Sequence, residues 1–228
     1  MSAHVRRIGS RSRAGLRARG ACAAACVALL IVGPRPTRAQ DAPSAIANAE
    51  SSVPAAAPDA ARLVAMLRRG GYVVYFRHTA TDHSKGDAGM KGYEDCENQR
   101  LLSAQGQRDA ADIGSAIRAL RLAPGEVLAS PYCRTMDHAR RTFGQATPRA
   151  DIRETDAGDY AGLKRLLASP VPVGRNRWLV GHGIPFRAVA GPPHLEEGEA
   201  AVIEPGATRW TVVARIRVSD WQALAAAR

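Results

Sequence analysis

The 228 residues carry 32 Lys and Arg against 21 Asp and Glu, a formal charge of +11, and an excess of that size first suggests a nucleic-acid or membrane partner. Its distribution removes the suggestion: residues 1–39 hold eight arginines (Arg6, Arg7, Arg11, Arg13, Arg17, Arg19, Arg35 and Arg38) and no acid, so the other 189 residues have 24 bases against 21 acids, a net +3. A hydrophobic content of 46% excludes a disordered chain, and 189 residues suffice for one domain with a sizeable core.

From the N-terminus, an Arg-rich start, an apolar run over 21–33 and Thr37-Arg38-Ala39 form the pattern of a secretory signal peptide over 1–39, with small residues three and one before the cut. The apolar run is shorter than the about 20 residues a spanning helix needs. An exported protein, periplasmic or secreted, with no stable membrane anchor after cleavage is therefore expected. Arg6-Arg7 raises a twin-arginine route, which Ile8-Gly9 fits poorly. The Arg-rich, acid-free composition also suits a mitochondrial transit peptide, but the compact apolar block does not. Residues 40–57, rich in Ala, Ser and Pro without periodicity, read as a flexible tether, and the folded domain is expected over 58–228.

Within that domain, Ala60, Leu63, Val64 and Leu67 recur at helical spacing over 59–69, and Gly70-Gly71 is a stop signal. Residues 72–76 (YVVYF) read as a buried strand. A helix is predicted over 104–120, with Ser103 as N-cap and Ala110, Ala111, Ile113, Gly114, Ile117 and Leu120 facing inward. A short strand over 126–129, helices over 134–143 and 159–167, and a strand over 177–180 follow. Residues 199–204 and 209–217 are β-prone, and 221–227 close the chain as a helix. Strands alternating with helices imply an α/β three-layer sandwich, a mainly parallel central sheet flanked by helices, whose ligands bind beyond the carboxyl ends of the strands.

Four polar residues fall at those ends: Arg77 and His78 after YVVYF, Arg134 after EVLASPYC, and His182 after RWLVG. Alone, each has an ordinary structural reading as a hydrogen-bonded histidine or a surface ion pair. Together they suit phosphoryl transfer. Guanidinium forks bind phosphate oxygens bidentately and stay charged at any working pH. A neutral histidine, with a reference pKa of about 6.5, can attack phosphorus and form a phospho-enzyme, and a second histidine, if protonated, would add a donor to the spreading negative charge. Neither step calls for a cofactor or a metal. Of the four cysteines Cys22 and Cys26 lie in the leader. Cys96 and Cys133 remain, an even pair that in an oxidising compartment suggests one disulfide, with two buried free thiols as the alternative.

The blocks YFRHTATD (75–82), QRLLSAQG (99–106), SPYCRT (130–135) and LVGHG (179–183) resemble, in order, the motifs of the histidine phosphatase (phosphoglycerate-mutase-like) superfamily. The resemblance covers about residues 62–217. It implies a phosphatase that hydrolyses phosphomonoesters through a phosphohistidine on His78, with Arg77, Arg134 and His182 forming the phosphate pocket and Thr81 adding a hydroxyl. Thr79 stands where the commonest motif has Gly and crowds the turn. For the general acid, relatives place a Glu in a pattern similar to Ile152-Arg153-Glu154. Other branches place an Asp after the second His, where this chain has Gly183, and Glu199 ahead of the next strand is the other candidate. Without an acid, substrates whose leaving group needs little protonation, such as phosphohistidine or aryl phosphates, would be favoured.

The expected partner is a phosphorylated small molecule or phosphoprotein. A mutase fits an exported chain poorly, because it must protect its phospho-enzyme from water and its usual metabolites are cytoplasmic. The alternative is a non-catalytic phosphate-binding pseudoenzyme of the same fold, against which the intact Arg77, His78, Arg134 and His182 argue. Nucleic-acid binding is not expected, since only Arg140-Arg141 and Arg175 with Arg177 remain as small basic groups. Nothing in the periodicity marks an oligomeric surface.

Overall fold

The computed structural model describes residues 57–153, 158–207 and 209–227. The leader expected over 1–39, and the tether but for Ala57, lie outside the described residues. Helix α1 (Ala60–Arg69) starts where the Asp59 carboxylate accepts the Arg62 N–H at 2.8 Å and ends at Gly70, whose φ of 74° suits glycine. Strand β1 (Val73–Arg77) follows. Helix α2 (Ala104–Ala119) is capped by Ser103, whose Oγ accepts the Gly106 N–H at 3.1 Å. Then come β2 (Pro124–Ala129), α3 (Cys133–Phe143), β3 (Thr147–Pro148), α4 (Ala161–Ala168), β4 (Asn176–Gly181), α5 (Gly183–Ala190), β5 (Ala200–Glu204), β6 (Thr211–Ile216) and α6 (Val218–Ala226).

The strands form one six-stranded sheet in the order β3-β2-β4-β1-β5-β6. The β3-β2, β2-β4 and β4-β1 pairs are parallel, while β5 is antiparallel to both β1 and β6. Alternate residues of β1 point to opposite faces, so its continuous apolar run feeds two cores. Val74 and Phe76 pack with α1, α2, α3 and α6, through residues such as Leu67, Ile117, Met136 and Trp221. Val73 and Tyr75 pack with α4 and α5, through Leu163, Leu167 and Phe186. The three-layer sandwich expected from the alternation is therefore present.

Three details differ from the sequence-based expectation. Ala111 is exposed, and Ala116 takes its place inside. At about 100° per residue, position 111 lies across the helix from Ile113 and Leu120, whereas 116 lies on their side. Helix α5 has no counterpart among the elements expected from the sequence. Pro185 sits in the first turn, where its missing N–H breaks no intrahelical bond. Strand β3 is two residues long and carries no readable period. Among the described residues, no helix is long and apolar enough to cross a membrane.

Candidate active site

Parallel pairing brings the predicted residues together. Val180 of β4 stands in register with Phe76 of β1 on one side and Ala129 of β2 on the other. The residues just beyond them, Arg77-His78, Ser130 to Arg134 and His182, therefore meet at one rim of the sheet. Arg77, His78, Arg134 and His182 line one cavity of about 320 Å³, joined by Asp87, Arg100 and Arg153, which the sequence reading did not assign.

His78 is buried, and its backbone N–H donates to Gly181 O at 3.0 Å. Its Nδ1 lies 2.9 Å from the Thr79 carbonyl oxygen. A carbonyl only accepts, so Nδ1 carries the proton and Nε2 keeps its lone pair. Burial, with help from Arg134 and Arg77, pushes the ring pKa down to about 3. The ring is thus a neutral nucleophile over the whole working pH range.

Behind it, the fully buried His138 accepts the Thr79 N–H on Nδ1 at 3.2 Å, so the tautomer is fixed and the Nε2–H has no partner among the described residues. Thr79, in the glycine position, is accommodated with its Oγ1 likewise unpaired.

His182 is held by Tyr75 from the neighbouring strand. The Tyr75 hydroxyl accepts the His182 N–H at 2.8 Å and donates to the His182 carbonyl at 2.9 Å. Gly181 permits this approach, since a Cβ there would run into the same hydroxyl. The His182 ring stands 5.6 Å from the His78 ring, centroid to centroid, with Nε2 2.9 Å from Ser130 Oγ. Burial, then Arg134 and His78, hold it well below its ordinary pKa, so His182 is neutral in these surroundings and would add a charged donor only on gaining a proton.

Arg134, in the first turn of α3, is almost wholly buried and lies 4.7 Å over the Tyr132 ring. Its Nη1 donates to Asp87 Oδ1 at 2.9 Å and to Arg100 O at 3.3 Å, leaving Nε unpaired. Arg153 covers the Tyr132 ring at 4.6 Å. Arg77 turns back to donate to Leu195 O at 2.8 Å and stands 3.4 Å from Glu197.

Two predicted residues do not join the cavity. Thr81 donates its hydroxyl to Glu197 Oε1 at 3.1 Å, so it braces the partner of Arg77 and does not line the phosphate pocket. Glu199 is buried in a two-pronged pair with Arg215, at 2.7 Å to each oxygen, and also accepts the Glu196 N–H. Burial alone would raise its pKa, but these donors outweigh it and lower it, the wrong direction for a proton donor. Glu154 lies outside the described residues.

Cys96 and Cys133 are bridged, with Cα atoms 5.7 Å apart. The buried Gln99 doubles the tie: its Oε1 accepts the Cys133 N–H at 3.0 Å while its Nε2 donates to Tyr93 O at 2.9 Å. The loop that carries Asp87 is thereby fastened to the start of the helix that carries Arg134.

Three histidines (His78, His182 and His194) and four arginines (Arg77, Arg100, Arg134 and Arg153) line one small cavity at the carboxyl ends of a mainly parallel sheet, in an α/β protein whose pocket has the charge and donors to suit an anion such as phosphate. The model of the histidine phosphatase superfamily (branch 1) matches residues 73–190, and the chain belongs to that superfamily. Among solved structures it is similar to the protein histidine phosphatase SixA complexed with tungstate, at 15% identity over 65% of this chain and 97% of that one, with a TM-score of 0.50. It also matches phosphoglycerate mutase from Bacillus anthracis, at 13% identity over 71% of this chain and 100% of that one, TM-score 0.47. No curated protein matches the chain.

Proposed function

We propose that the protein is an exported phosphatase that hydrolyses phosphomonoesters through a phosphohistidine on His78. The observation that carries this reading is the state of His78, with Nδ1–H spent on the Thr79 carbonyl, Nε2 unprotonated, and the ring lining a cavity it shares with Arg77, Arg134 and His182. An in-line attack by Nε2 on phosphorus would spread negative charge over the equatorial oxygens, where the guanidiniums stand ready to stabilise it. His182 gains affinity for a proton once an anionic phosphoryl group enters, because the added charge opposes the cations that, with burial, hold it neutral. Water then releases phosphate from His78. Phosphorylated small molecules or phosphoproteins are the substrate class.

Export is supported by the signal-peptide pattern of residues 1–39 and by the Cys96–Cys133 bridge, since disulfides persist in oxidising compartments. The domain is taken to run over 58–228 behind the leader and tether.

The test is p-nitrophenyl phosphate hydrolysis with EDTA present, comparing the protein with His78→Ala. We expect turnover in the first and a loss of at least about 10³-fold in the second. Acid quenching during turnover should trap phosphate on His78. Activity unchanged in the variant rejects the nucleophile, and phosphate binding without turnover in the parent protein points to the non-catalytic reading.

A further inference from the structure

An alkoxide is a poor leaving group, so hydrolysis of alkyl phosphates calls for a proton donor beside the ester oxygen. Glu199 is locked to Arg215 away from the cavity. Among the described residues that line the cavity, one carboxyl remains, that of Asp87. Its Oδ1 is fixed by the Arg100 N–H at 2.9 Å and by Arg134 Nη1 at 2.9 Å, and among the described residues no hydrogen bond falls on Oδ2. The side chain keeps 26% of its exposure, so the carboxyl is anchored by one oxygen and open on the other.

We propose that Asp87 is the general acid and base of this site, acting through Oδ2. The inference rests on the phosphatase reading above. Burial opposes ionisation of Asp87, but the Arg100 N–H and Arg134 outweigh it, and the group is a carboxylate. Substrate reverses this balance: Arg134 turns its charge to the phosphoryl oxygens, and the phosphoryl group sets negative charge beside the carboxylate. An ester entering as the monoanion, whose second pKa is about 6, supplies the proton to Oδ2. As the bond from His78 Nε2 to phosphorus forms, the bond from phosphorus to the ester oxygen breaks. That oxygen takes the Oδ2 proton and leaves as the alcohol. The Asp87 carboxylate next takes a proton from the water that attacks the phosphohistidine, giving inorganic phosphate and neutral His78. The proton departs with the phosphate, and Asp87 returns to Arg134.

The experiment measures kcat/KM for the full chain on phosphate monoesters that run from p-nitrophenyl to simple alkyl leaving groups, with Asp87→Asn alongside. The parent protein is expected to show a shallow dependence on leaving-group pKa. In D87N, alkyl substrates should lose about 100-fold or more, while p-nitrophenyl phosphate changes by less than about fivefold. Inorganic phosphate should bind D87N as tightly as before or tighter, since a competitor for Arg134 has lost its charge. Equal losses on aryl and alkyl substrates, or weakened phosphate binding, would mean that Asp87 only positions Arg134, and would overturn the proposal. Should D87N fail to fold, the parent series with Glu154→Gln alongside still decides, because a steep fall with leaving-group pKa shows that no acid acts, a loss in E154Q confined to alkyl substrates assigns the acid to Glu154 and overturns the proposal, and a shallow series unchanged in E154Q supports Asp87. Activity surviving in His78→Ala is a different failure, that of the phosphatase reading itself.

Discussion

Tyr75 and Glu199 show how buried polar residues brace the site without touching a substrate. The Tyr75 hydroxyl, kept protonated by burial, spends its donor and its acceptor on the backbone of His182. Glu199 acts as an acceptor just before β5, where Arg215 of β6 reaches both its oxygens and the His194 carbonyl, tying β6 to the segment that leads into β5. Removing the charge of Glu199 strands a guanidinium whose partners were fixed, and hydrogen bonds to charged groups are worth about 1.5–3 kcal/mol each. Glu199→Gln should therefore lower stability by about 2 kcal/mol in urea unfolding while leaving the ratio of alkyl to aryl phosphate turnover unchanged. A selective loss on alkyl phosphates would restore Glu199 as the acid. Arg77, His78, Arg134 and His182 were readable from the sequence because each follows an apolar run or opens a helix. Asp87 and Arg153 were not, because no period constrains the loops that deliver them, and Glu199 misled because spacing carries no information about its partner Arg215.

Helices α2 and α3 place the site through close backbone approach. Gly106, in the first turn of α2, faces the backbone of Ala80, and a Cβ there would collide with the Ala80 carbonyl oxygen. That oxygen accepts the Ser103 N–H at 3.0 Å, so the cap of α2 and the loop two residues past His78 are one joint. On an open helix, Gly→Ala gains about 1 kcal/mol. Here overpacking should reverse the sign: Gly106→Ala is expected to cost about 1–3 kcal/mol and to lower kcat/KM on p-nitrophenyl phosphate by displacing His78. A raised unfolding midpoint with full activity would show that the joint yields freely. Long amphipathic helices such as α1 and α2, and the apolar strands β1 and β4, were readable because their burial pattern is their period. Helix α5 was not, since its Gly and Pro satisfy first-turn geometry that a propensity reading counts as a break.

At the scale of the whole domain, the active site makes stability depend on pH. His78, His138 and His182 are all buried. Desolvation is the largest cause in each, bringing His78 and His138 down to about 3 and His182 well below its ordinary value. The unfolded chain protonates these rings near pH 6.5, and the folded chain refuses those protons. Their contribution is therefore fully present above pH 6.5 and is lost as pH falls. The slope is about 1.4 kcal/mol per pH unit for each ring, about 4 kcal/mol per unit for the set. Glu199 and Asp87, whose pKa values are lowered, add to the loss once the pH drops below the ordinary carboxylate range of about 4. Thermal melts between pH 4.5 and 8 should show a plateau above neutrality and a steep fall below pH 6.5. Saturating phosphate should flatten the fall, because an anion in the cavity makes protonation of His78 and His182 less costly. In His138→Asn, whose amide oxygen can still accept the Thr79 N–H, the slope should drop by about a third, one titrating ring having been removed. Stability independent of pH between 5 and 6.5 would mean that the rings reach water in the folded state. The domain would then lack the dry cavity on which the neutral nucleophile depends.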